Sequence, residues 1–125
     1  MIKGVLRSFT DLNAWKEGHA LVLLIYALSK KFPKDAYSLI DQMRRAAVSV
    51  TSNIAEGFGR NSYKERVQFF YLAQGSLTEL KNQILIAKDV GYLNQKDFQK
   101  VALQANVAHR LLQGLMTKTK TFIHS

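Results

Sequence analysis

From Leu39 to Phe58 the apolar residues fall at steps of three and four without a break: Leu39, Met43, Ala47, Val50, Ile54 and Phe58. That spacing puts them on one side of an α-helix. Beside them runs a second stripe, Gln42, Ala46, Ser49, Asn53, Glu56 and Arg60. Small and short polar residues there let another helix approach closely, which makes this segment the element on which the others pack. The same residue types recur at Ser76, Glu79 and Gln83, one helix later. An unsatisfied buried polar group costs roughly 1–3 kcal/mol, so the two stripes are expected to meet. One reading is a hydrogen-bonded network that fixes helix register; the other is a binding site.

The remaining chain supplies three more helices. Phe9, Leu12, Trp15, His19, Val22 and Tyr26 share one face of the first, while Leu21, Leu24, Ile25 and Leu28 share another. A helix apolar on several sides is covered on several sides. In a chain of 125 residues the second cover is expected from another subunit. Ser8 with Asp11 suggests a start near Thr10 or Asp11, and Pro33 ends the helix. Asp35 is the expected N-cap of the second helix, and glycine in Gly57-Phe58-Gly59 is expected to allow a left-handed turn at its end.

Ser62 and Glu65 form a capping-box pattern ahead of Val67 and Phe70. Val67, Phe70, Ala73, Leu77, Leu80, Ile84 and Ala87 then line the third helix, which Gly91 stops. Asn94 opens the fourth, lined by Phe98, Val101, Ala105, Ala108, Leu112 and Leu115. Gly18, Gly75 and Gly114 fall inside helices, where close helix contact would offset their roughly 1 kcal/mol cost. Helices over about 11–32, 36–58, 62–90 and 95–121, joined by short loops, predict an all-α, antiparallel up-down four-helix bundle spanning 1–125 as one domain.

Charge then narrows the function. The net charge is +9, and its excess lies at the two ends of the chain. Residues 1–34 carry six basic and two acidic side chains, and residues 92–125 carry five and one. First and last helices are neighbours in an up-down bundle, so a basic flank follows. Such a flank attracts phosphate polymers or acidic proteins. Arg44, Arg45, Arg60, Lys64 and Arg66, on or near the junction of the second and third helices, are the candidate nucleic-acid-binding residues, with Tyr63 and Tyr92 as candidate exposed rings. No helix-turn-helix or zinc-finger pattern points to sequence-specific duplex reading.

Other chemistries find little. There is no cysteine, hence no disulfide framework or thiolate site, in keeping with a reducing cytoplasm. The longest apolar run, Ala20 to Leu28, is too short to span a membrane, and the N-terminus lacks a signal core. None of Glu17, Glu56, Glu65 and Glu79 has a histidine three residues later, so a di-iron bundle site is not expected. His19 and His109 could face inward, where a structural role is the simpler reading. No nucleophile or acid–base constellation appears, and the expectation is a non-enzyme without metal or cofactor.

Several of these residues form a pattern. Phe9-x-x-Leu12-x-x-Trp15, Phe32-Pro33, and Gln42-x-Arg44-Arg45-Ala46-x-x-Ser49-x-x-x-Asn53-Ile54-Ala55-Glu56-Gly57, followed by Gly59-Arg60 and Ser62, resemble the 23S ribosomal RNA intervening-sequence protein family. Phe69, Ala73, Gly75-Ser76 and Glu79-Leu80 extend the match. The resemblance implies a bacterial bundle that assembles into a ring, often a pentamer. It also implies a fold similar to the accessory protein of diversity-generating retroelements, a basic ring that binds nucleic acid and a reverse transcriptase. It brings no catalytic residues. Gln42, Arg44, Arg45, Ser49, Asn53, Glu56, Arg60, Ser76 and Glu79 carry over as fold-and-assembly positions first and binding positions second. The function expected is a homo-oligomer binding RNA or other nucleic acid; the alternative is a scaffold or adaptor whose partner is a protein.

Overall fold

The computed structural model describes residues 6–123. Four helices run α1 (Asn13–Ser29), α2 (Tyr37–Phe58), α3 (Tyr63–Asp89) and α4 (Gln95–Lys120). Each packs on its neighbours in sequence, and α4 closes back on α1, while the backbones of diagonal pairs stay apart. This is the up-down bundle the periodicity predicts. The α2–α3 interface is the most extensive, as the small residues on α2 require. Met43, Val50, Ile54, Phe70, Leu77, Leu80 and Leu112 fill the centre with Leu21 and Ile25. Among the described residues no helix is long and apolar enough to cross a membrane.

The helix starts differ in how they are built. Asn94 accepts from the Asp97 N–H at 2.8 Å, as its position suggests. Ser62 accepts from the Glu65 N–H at 3.1 Å, but the Glu65 carboxylate takes the Ser62 hydroxyl rather than closing the box on the backbone. Ser8 and Asp11 do form a full capping box, around a short 3-10 turn at Phe9–Asp11. Donation from the Arg7 and Ser8 N–H groups to Asp11 holds its carboxyl below the usual carboxylate range. The α-helix begins two residues later and ends at Ser29, short of the expected 32. Asp35 is not a cap: Lys34–Ala36 wind as a 3-10 turn after Pro33, and α2 starts without a side-chain cap.

Two glycines have distinct reasons. Gly91 has φ +88°, and the Tyr92 N–H returns to the Ala87 carbonyl at 2.8 Å, which ends α3. Gly57 and Gly59 make no left-handed turn; Gly59 sits at φ −83°. Gly57 is needed for space, because a Cβ there would lie 2.7 Å from Cε1 of Phe70. Gly18 likewise lies against Thr51, but Gly75 and Gly114 face open space, so the expected close contact is absent within the chain.

Candidate nucleic-acid interface

An up-down bundle brings the α2–α3 turn and the end of α4 to the same end. Arg60 leaves the turn in an ion pair with Glu56 at 3.0 Å, its guanidinium 4.5 Å from the centre of the Phe69 ring. The Arg66 Nε donates to the Arg60 carbonyl at 2.9 Å, and its guanidinium lies 5.2 Å from Tyr63 and 6.0 Å from Phe58. Tyr63 stacks on Phe122 from beyond the end of α4, ring centres 5.1 Å apart. Lys120 covers Tyr71 at 4.7 Å. Lys64 stands exposed beside them. Cations and rings therefore alternate across one end of the molecule. Cation–π contacts of this quality occur roughly once per 70–80 residues in proteins. Here Arg60, Arg66 and Lys120 make theirs at a single end.

Of the five cations the sequence nominates, this end gathers Arg60, Lys64 and Arg66. It does not gather Arg44 and Arg45. At about 1.5 Å per helical residue, Arg45 lies roughly 22 Å from Arg60 along α2. Arg44 donates to Ser29 Oγ at 3.0 Å and covers Tyr26 at 4.6 Å, tying α2 to α1. Arg45 pairs with Asp41 at 3.1 Å on the open surface, an arrangement typically worth about 0.3–0.5 kcal/mol. The sequence reading missed Lys120, Phe69, Tyr71 and Phe122 as members of the cluster. Their signal lies in topology: the last residues of α4 must sit beside the α2–α3 turn. Tyr92 is half-buried against Phe32 at the opposite end.

The polar stripe resolves into a short bridge. Ser49 Oγ and Ser76 Oγ are 2.7 Å apart across α2 and α3. Asn53 donates to the Ser49 carbonyl at 2.9 Å and to its hydroxyl at 3.1 Å. Gln83 donates to Glu79 at 3.1 Å along α3, leaving its own buried carbonyl oxygen without a partner. Gln42, Glu56 and Glu79 are exposed. His19 is also exposed, stacked on Trp15 at 4.7 Å, rather than facing inward. Among the described residues no three acidic or histidine side chains converge as a metal site.

α4 carries five basic side chains against one acidic, and α1 is neutral but is followed by Lys30, Lys31 and Lys34. Lys31 reaches Asp97 at 3.3 Å, and Gln104 donates to Glu17 at 3.0 Å. In that register Leu23 and Leu103 stand at about the same height, 58% and 65% exposed. The face formed by Leu21, Ile25 and Leu28, for which a second cover is expected, is instead buried within the chain, and the uncovered part of α1 is the side that carries Leu23. On α3 and just past its end, Leu72, Ile86 and Val90 are also exposed.

The sequence profile of the 23S rRNA-intervening sequence protein family matches residues 10–114, and the chain belongs to that family. A Bacteroides thetaiotaomicron protein with unknown function, from the S23 ribosomal protein family, has a crystal structure that superposes with a TM-score of 0.78. The two are 14% identical, and the alignment covers 82% of this chain and 97% of that one, so they share the bundle fold. No curated protein matches the chain.

Proposed function

We propose that this member of the 23S rRNA-intervening sequence protein family is a non-enzymatic, homo-oligomeric bundle of the bacterial cytoplasm that binds RNA or other nucleic acid through its cation–aromatic end. The observation that carries the reading is the alternation of Arg60, Arg66 and Lys120 with Phe69, Tyr63 and Tyr71. Cations displace counterions from phosphates, and unpaired bases stack on rings and on guanidinium planes. A cation already resting on a ring loses less side-chain freedom when a phosphate arrives. The end therefore suits single-stranded or looped segments better than a regular duplex.

Assembly into a ring follows from two unlike faces. Leu23 and Leu103 leave apolar surface on the α1–α4 side, where α4 is basic, and Leu72, Ile86 and Val90 leave it on α3 and just past its end. Residues 1–34 and 92–125 hold most of the net positive charge, on α4 and on the segments that flank a neutral α1, whereas residues 35–60 are balanced and residues 61–91 carry four basic and three acidic side chains. Like faces would repel, and unlike faces would pair. Such heterologous contacts close into rings, which would repeat the cation–aromatic end around one rim. Binding to labelled RNA over a salt series tests the reading. No binding at low salt would leave the protein-scaffold alternative in its place.

A further inference from the structure

Away from the cation–aromatic end, Lys81 on α3 occupies an unusual position. Its Nζ lies 2.6 Å from Nδ1 of His109 on α4. An ammonium has only donors, so Nδ1 accepts and the imidazole is the neutral tautomer with its proton on Nε2. That Nε2 is buried and has no hydrogen-bond partner. Burial lowers the pKa of both groups, and the Lys81 charge adds to the effect on His109. Among the described residues no carboxylate pairs with Lys81. A partly desolvated cation is thus held by a neutral group alone.

The same lysine lines a half-open cleft of about 170 Å³ between α3 and α4, with Ile84, Leu85, Phe98, Ala105 and Asn106, of which Leu85 and Asn106 are exposed. Lys88 rests over Phe98 at 4.5 Å and fixes that ring at the edge of the site. None of the lining residues is acidic. An enclosed apolar cavity of about 150 Å³ accepts a benzene ring, so a cleft of this size has room for a single aromatic ring with one edge toward solvent. The walls choose an apolar body, and Lys81 chooses its charge.

We propose that the α3–α4 cleft binds a small aromatic carboxylate, with the ring against Ile84, Leu85 and Phe98 and the carboxylate paired with Lys81. One Lys81 proton is spent on His109, which leaves two for the ligand. The Asn106 amide supplies a second donor on the cleft wall. Partial burial strengthens the ion pair relative to one on the open surface. This site is separate from the nucleic-acid interface, and neither depends on the other.

The test is a titration of the full chain, followed by two-dimensional amide NMR, with benzoate as the probe and toluene as its uncharged counterpart. Benzoate should give saturable shifts at Ile84, Leu85, Ala105 and Asn106, and bind at least tenfold more tightly than toluene. Lys81→Met keeps the aliphatic stem and should weaken benzoate at least tenfold, bringing it to the toluene level. Ala102→Phe, on the cleft wall, should block both. Absence of saturable shifts at these residues would overturn the proposal. Equal affinity of benzoate and toluene for the unmodified protein would do so as well, and needs no variant to fold. Undiminished benzoate binding by folded Lys81→Met would also contradict it.

Discussion

A Cβ placed on Gly57 would sit 2.7 Å from Cε1 of Phe70 and 3.0 Å from Cβ of Phe69. The end of α2 therefore lies on α3 with no room for a methyl group. Gly57→Ala would gain helix propensity but must displace Phe70, which is 2% exposed. Overpacking of this kind costs typically 1–3 kcal/mol. The expected outcome is a lower urea midpoint with an unchanged slope. An equal or higher midpoint would show that α2 and α3 can part cheaply here.

Ser49 and Ser76 hold the same two helices farther along, at 2.7 Å. Removing the Ser49 hydroxyl strands that of Ser76 in a part-buried contact and should cost about 1 kcal/mol, whereas removing that of Ser76 leaves Ser49 its bond from Asn53 and should cost less. Removing both leaves neither hydroxyl unpaired, and Asn53 keeps its bond to the Ser49 carbonyl. A double-mutant cycle with alanine at each position should thus give a loss smaller than the sum of the singles. Strict additivity would mean that the hydroxyls do not interact.

Periodicity on α2, α3 and α4 was legible because one buried face imposes it, and helix ends were legible where a side chain caps its own backbone, as at Ser62 and Asn94. Asp35 misled because Pro33 leads into a 3-10 turn that leaves no open helix end for it to cap. Gly57 misled for another reason: a glycine marks either a positive φ or a lack of space, and only the position of Phe70 tells which. Arg44 and Arg45 are near Arg60 in sequence yet well separated along the helix. The Lys120–Tyr71 and Lys81–His109 contacts join separate helices, so they depend on rotation and height that no local pattern encodes.

Acidification should act through His109. Its folded-state pKa lies below the ordinary 6.5, mainly because of burial and secondarily because of Lys81. Between the folded value and 6.5 the unfolded chain binds more protons, so stability should fall as pH drops through that window. Lys81 has the same sign near its ordinary 10.5, where stability should rise with pH. Denaturant midpoints measured from pH 7.5 to 5 should decline less steeply for His109→Gln than for the unmodified chain. Identical slopes would remove His109 from the pH response.

Self-association rests on the apolar surface that one subunit leaves open. Sedimentation at micromolar concentration should give a multiple of the 14.2 kDa chain mass. Leu103→Glu, at a position already 65% exposed, should leave the helix intact and shift the population toward the single chain. A single-chain mass for the unmodified protein would end the ring proposal.

The most direct test of nucleic-acid binding is affinity for a labelled RNA with unpaired loops, measured across a salt series. The logarithm of the association constant should fall linearly with the logarithm of salt concentration. Replacing Lys64 and Lys120 with alanine should reduce that slope by about two, since each phosphate contact contributes roughly one. Arg45→Ala, distant from the cluster and paired with Asp41, should leave it nearly unchanged. A slope that ignores Lys64 and Lys120, or no binding even at low salt, would contradict the account.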